Sequence, residues 1–109
     1  MPSGLQDGLA LIRAGRYFEA HEALEGEWRS APPDERDFLQ GLVHVAVAWY
    51  QAGRRNQVGC ERQLAKARRR LAPYAPTHRG VDVAATLARL RDAESALRRG
   101  CLELPPPVV

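Results

Sequence analysis

The chain has 109 residues, 27% of them charged and 45% hydrophobic, and contains no run of about 18 apolar positions. That describes one small domain with a single core and excludes a membrane-spanning helix. The formal charge is +3 with a pI near 9.3, and Lys66 is the single lysine among arginines, a mild excess that does not by itself argue for an anionic partner. The opening MPSGLQDGL lacks the basic segment and apolar block of a secretion signal, so the expectation is a cytoplasmic protein whose Cys60 and Cys101 are reduced thiols.

Apolar positions recur at helical spacing nearly throughout, and no alternating strand is followed by an Asn-Gly type turn. The fold class is therefore all-α, a compact bundle of about five helices. Leu5, Leu9 and Ile12 mark a first helix that stops at Gly15. A second runs from Tyr17 to Arg29 and ends at Ala31-Pro32-Pro33, after which Asp34 is placed to cap a third. That central helix, approximately 37–52, is apolar around most of its circumference and belongs in the middle of the bundle.

Gly53 closes the central helix. A fourth, from about Asn56 to Ala72, turns Cys60, Leu64, Ala67 and Leu71 inward and Arg62, Lys66, Arg69 and Arg70 outward. Pro73 to Pro76 form a stiff linker, and His78 beside Arg79-Gly80 reads as exposed. Asp82 caps a fifth helix with an inner stripe of Val83, Leu87, Leu90, Glu94 and Leu97. Residues 1–103 form the bundle domain, and 104–109 are a proline-rich tail, disordered or extended.

Chemistry concentrates where the second helix faces the third. Tyr17, His21, Leu24 and Trp28 share one stripe, Glu25 follows His21 by one turn, and Glu22 lies about 100° away. The third helix offers Gln40 and His44, also one turn apart, inside its apolar span. In an antiparallel hairpin turning at Pro32-Pro33, residues whose numbers sum to about 65 lie level. His21 then faces His44 and Glu25 faces Gln40.

Each residue also has a plainer role. His21 can be a core histidine bonded to a glutamate, Glu25 a surface partner of Arg29, and His44 a buried group satisfied by Glu25 or Gln40. A divalent metal could be held by His21, Glu25 and His44, with Glu22 as candidate catalytic base on a bound water. The second histidine of an HExxH motif is absent, and so are the paired Glu-x-x-His motifs of di-iron bundles. The basic run Lys66 to Arg70 has no interleaved aromatic, so a solvated face is expected there rather than nucleic-acid binding. Gly41 and Gly59 inside helices imply close helix–helix approach, and Cys60 on the inner stripe suits a buried structural thiol.

Several separated motifs then occur in order: Phe18-Glu19-Ala20-His21-Glu22 with Glu25 and Trp28, Phe38-Leu39-Gln40-Gly41-Leu42 with Ala46 and Tyr50, Asn56 with Gly59, and Gly80-Val81-Asp82-Val83. Over roughly residues 5 to 97 the chain resembles the bacterial domain-of-unknown-function family 309. The resemblance implies a helical bundle with a signature on the His-Glu helix, and it brings no activity, substrate or cofactor. The chain departs from the family pattern at His44, where glutamine is frequent, and at Cys60, where a small residue is usual. The first departure weakens the three-ligand metal idea.

The functional expectation is a polar pocket of His21, Glu22, Glu25, Gln40 and His44 that binds a small polar ligand or a protein partner. The alternative is a metal-assisted hydrolase that uses His21, Glu25 and His44.

Overall fold

The computed structural model describes residues 4–109. Five α-helices follow one another: α1 (Gly4–Arg13), α2 (Tyr17–Arg29), α3 (Pro33–Gly53), α4 (Gln57–Leu71) and α5 (Val83–Arg98). The molecule measures 40 × 25 × 19 Å. Its shortest dimension admits two helix diameters of about 10 Å each, so the bundle is two layers deep.

The central helix is the most buried element. It packs most extensively on α4 and next on α2, while α1 covers α2 and α5 covers α4. Phe38, Leu39, Leu42, Val45, Ala46 and Ala48 of α3 are fully enclosed, as an apolar circumference requires. Two helical glycines allow the closest approaches. A Cβ on Gly41 would stand 2.6 Å from Leu71 Cγ, and one on Gly8 would stand 2.5 Å from Leu24 Cγ. The expectation of close packing thus holds at Gly41. At Gly59 a Cβ would instead meet the Asn56 side chain, whose Oδ1 accepts the Gly59 N–H at 2.9 Å to cap α4.

The helix ends correct the sequence reading in two places. The central helix begins at Pro33 rather than near 37, because proline is well suited to the first helical position, where its missing N–H costs nothing. Asp34 therefore lies in the first turn, beside the positive end of the helix dipole, and is not the cap. At the other end Arg55, not Gly53, takes the left-handed position, with φ of 62°. There Asn56 N–H donates to Gln51 O at 2.9 Å and Arg55 N–H to Ala52 O at 3.0 Å, a Schellman closure. The same closure ends α1 at Gly15 and α5 at Gly100.

Between α4 and α5 a short 3₁₀ turn, Ala72–Tyr74, leads into a two-residue antiparallel pair, β1 (Thr77–His78) and β2 (Val81–Asp82). The turn residues Arg79 and Gly80 both have positive φ, as a type I′ turn requires. His78 is not free: its Nε2 lies 2.9 Å from Glu35, and its ring packs on Phe38 and Tyr74 at centroid distances of 4.6 and 4.8 Å. This hairpin fastens the linker to the first turn of α3, a long-range partnership that local sequence does not display. Asp82 caps α5 as expected, accepting Ala85 N–H at 2.9 Å.

The segment after α5 runs extended across the bundle. Trp49 Nε1 donates to Pro105 O at 3.0 Å, Arg89 to Pro106 O at 2.7 Å and Arg13 to Val109 O at 2.8 Å, while Leu102, Leu104 and Val109 lie against the core. Backbone carbonyls of a proline run have no strand partner, so side-chain donors from α1, α3 and α5 satisfy them. Among the described residues no helix is long and apolar enough to cross a membrane.

Candidate functional site

With α2 on one side and α4 on the other, α3 keeps one stripe only partly covered: half-buried Gln40, Val47 and Gln51 with buried His44 among them and Tyr50 at the edge. At about 100° per residue these four fall within a 60° arc. They form the floor of a shallow groove whose walls come from α2 and α4.

On the α2 side the groove deepens into a cleft of about 200 Å³ lined by Phe18, His21, Val47, Tyr50 and Gln51. Phe18 lies 5.6 Å from the Tyr50 ring and 5.8 Å from the His21 ring, centroid to centroid, yet it is 51% exposed. Arg54 sits over Tyr50 at 5.6 Å from the ring centre, and its Nη1 donates to the Tyr50 hydroxyl at 3.1 Å. The His21 Nε2 pairs with Glu25 at 3.2 Å, and Arg29 reaches the other Glu25 oxygen at 4.0 Å.

His44 has a different partner. It is 8% exposed and lies 2.7 Å through Nδ1 from Gln63 Oε1 on α4, so the neutral ring carries its proton on Nδ1 and donates it to the amide oxygen. Burial lowers its pKa below the ordinary 6.5; the Gln63 bond opposes that, and the charges of Arg70, Lys66 and Arg69 add to it.

The five residues read as one pocket are therefore not joined as expected. His21 and Glu25 pair with each other on α2, while His44 pairs with Gln63. Glu22 is exposed, and among the described residues neither it nor half-buried Gln40 makes a side-chain hydrogen bond or ion pair. The level-count placed His21 opposite His44, but Phe18 meets Tyr50 and His21 meets Val47, about one helical turn further along. Helical side chains lean toward their own N-terminus, so across an antiparallel hairpin His21 and His44 lean apart. His44 also lies between two directions on α3, about 60° from Val47 on the α2 side and about 60° the other way from Gly41, which packs on Leu71 of α4.

The metal reading falls with that geometry. Among the described residues no group of three His, Cys, Asp or Glu side chains could hold a metal ion, so His21, Glu25 and His44 do not make a ligand set. Cys60 is fully buried, and burial pushes its thiol up to about 11, which leaves it a packing residue and not a nucleophile. The residues that sequence reasoning gave no role are Phe18, Val47, Tyr50 and Gln51. The available signal was Phe18, a large aromatic about 100° off the inward stripe that starts at Tyr17.

The family model described as "Domain of unknown function (DUF309)" matches residues 5–63, which hold every residue of the cleft. The chain is similar to "Uncharacterized protein YpuF" of Bacillus subtilis (strain 168), with 37% identity over 83 residues. That alignment covers 74% of this chain and 46% of YpuF, so the chain spans about half the length of that curated relative. No solved structure matches. On the span of the family match, this chain belongs to the DUF309 family.

Proposed function

We propose that the protein is a cytoplasmic, non-enzymatic binding module whose α2/α3 cleft receives an apolar side chain from a protein partner. The observation that carries this reading is Phe18: a half-exposed aromatic packed at a tilt against Tyr50 and His21 at the mouth of an apolar cleft. Aromatic residues around a small pocket are the usual anchors of protein interfaces. The cleft, at about 200 Å³, is smaller than the roughly 300 Å³ at which pockets for drug-sized ligands begin.

A small polar ligand is less well supported, because the polar groups are already engaged. His44 is bonded to Gln63, His21 to Glu25, and Gln51 accepts from Asn56 Nδ2 at 3.1 Å. A hydrolase has no support, since Glu22 points outward without an assembled ligand set to activate a water.

The test is a display library of amphipathic helical peptides panned on the protein, with Phe18→Ala as the counter-screen. Binders that lose roughly tenfold or more affinity for Phe18→Ala, while the variant keeps a cooperative thermal transition, are the expected result. A library that yields no Phe18-dependent binder overturns the reading.

A further inference from the structure

Beyond the cleft, on the far side of His44 and Gln63, α4 carries charge that the fold leaves uncompensated. Arg62, Lys66 and Arg69 lie at i, i+4 and i+7 on one exposed stripe of α4, spanning about 10 Å. Their neighbours are paired internally: Arg68 with Glu94 at 3.1 Å and Arg70 with Asp37 at 2.7 Å. Among the described residues, Arg62, Lys66 and Arg69 have no ion pair and no side-chain hydrogen bond. Their field reaches the groove floor, since Lys66 and Arg69 are among the charges that disfavour a protonated His44.

The α2 side carries carboxylates as well as the cations Arg29 and Arg54. Glu22 is exposed on α2, and Glu25 is held beside His21. The groove therefore has an aromatic cleft and carboxylates along one side and three free cations along the other. Its floor is α3.

We propose that the partner seated in this groove is an amphipathic α-helix with an acidic flank, lying along α3 with its apolar anchor in the Phe18 cleft and its carboxylates on Arg62, Lys66 and Arg69. This rests on the docking reading above and assigns the partner's class. A helix matches on spacing, because carboxylates at i, i+4 and i+7 repeat the cation stripe at the same rise. A nucleic acid fits less well: its phosphates would also approach Glu22 and Glu25 across the groove, and no exposed aromatic interleaves with the cations for bases to stack on.

The experiment uses the binders from the display library, sequenced and synthesised with a fluorophore, and compares the wild-type protein with two triple variants. One is Arg62→Glu, Lys66→Glu, Arg69→Glu, and the other replaces the same residues with Gln. All three positions are exposed, and thermal melts of both variants check that the fold is kept. Expected are binders enriched in Asp and Glu on one flank and weakened about tenfold by 0.5 M NaCl. The Gln variant binds at least tenfold more weakly, and the Glu variant regains affinity for peptides with lysine on that flank.

Binders without acidic bias, or with equal affinity for all three proteins, overturn the acidic partner while leaving the cleft intact if they still require Phe18. Binders that need the three cations but ignore Phe18→Ala overturn the cleft instead. A fluorescein-labelled single-stranded or duplex oligonucleotide that binds more tightly than the selected helices, and loses binding with the Gln variant, reassigns the stripe to nucleic acid.

Discussion

Gly41→Ala sets two effects of similar size against each other, and the structure decides between them. Alanine improves helix propensity over glycine by up to about 1 kcal/mol in a helix interior. The new methyl would lie 2.6 Å from Leu71 Cγ and 2.7 Å from its Cδ2, and Leu71 is fully buried. Overpacking of that kind costs roughly 1 to 3 kcal/mol. The net expectation is a loss on the order of 1 kcal/mol, or a fall in Tm of about 4 to 8 °C for a domain near this size.

The partner mutation makes the test specific. Leu71→Ala alone costs about 2 to 5 kcal/mol through lost burial and a cavity. In that background the clash is gone, and Gly41→Ala should stabilise by up to about 1 kcal/mol, giving a coupling energy of roughly 2 kcal/mol. Urea unfolding of the wild type, both single variants and the double variant closes the cycle. If Gly41→Ala stabilises the protein in both backgrounds, the α3/α4 contact is looser than described and the reasoning fails.

Three further outcomes follow from the same structure. Arg55 holds a left-handed φ of 62° at the end of α3, a conformation that costs a residue bearing a Cβ roughly 1 to 2 kcal/mol, so Arg55→Gly should raise stability by about 1 kcal/mol in urea unfolding; a loss would contradict it. The His44 pKa is lowered from 6.5 in the folded state, so the unfolded chain binds the proton more readily and stability declines as pH falls from 6.5 toward the lowered value. His44→Gln, whose amide can still donate to Gln63, should flatten that part of the stability–pH curve, and an unchanged slope would assign the dependence elsewhere. In a Trp28→Phe background, deleting residues 102–109 removes the Pro105 acceptor of Trp49 and the Leu102 and Leu104 contacts; Trp49 emission should shift to the red and stability fall by about 2 kcal/mol or more.

Much of the bundle could be read from periodicity alone. The inward faces of α4, the Asp82 cap and the span of α2 depend on local pattern, and local pattern is what a sequence displays. The start of α3 was misread because Pro32-Pro33 signals an ending and an N1 proline equally well. His78 was misread because its partners, Glu35, Phe38 and Tyr74, come from separate elements. The Arg79-Gly80 turn type is not legible in the sequence because arginine is an uncommon residue at positive φ.

The site was half legible. His21 lines the cleft and His44 lies beside it on α3, but counting levels along a hairpin fixes Cα heights and not where side chains reach. The lean of each ring toward its own N-terminus separated them. It also placed Phe18, which carries no polar chemistry, at the mouth of the cleft.

The most direct measurement of the docking claim is a ¹⁵N chemical-shift titration with a selected helical peptide. The account predicts saturable shifts concentrated at Phe18, His21, Val47, Tyr50 and His44, extending to Arg62 and Lys66, with the surface around Arg89 and Pro105 unmoved. Shifts that cluster instead around Arg89 and Pro105, or that leave Phe18 and Tyr50 untouched at saturation, would contradict it.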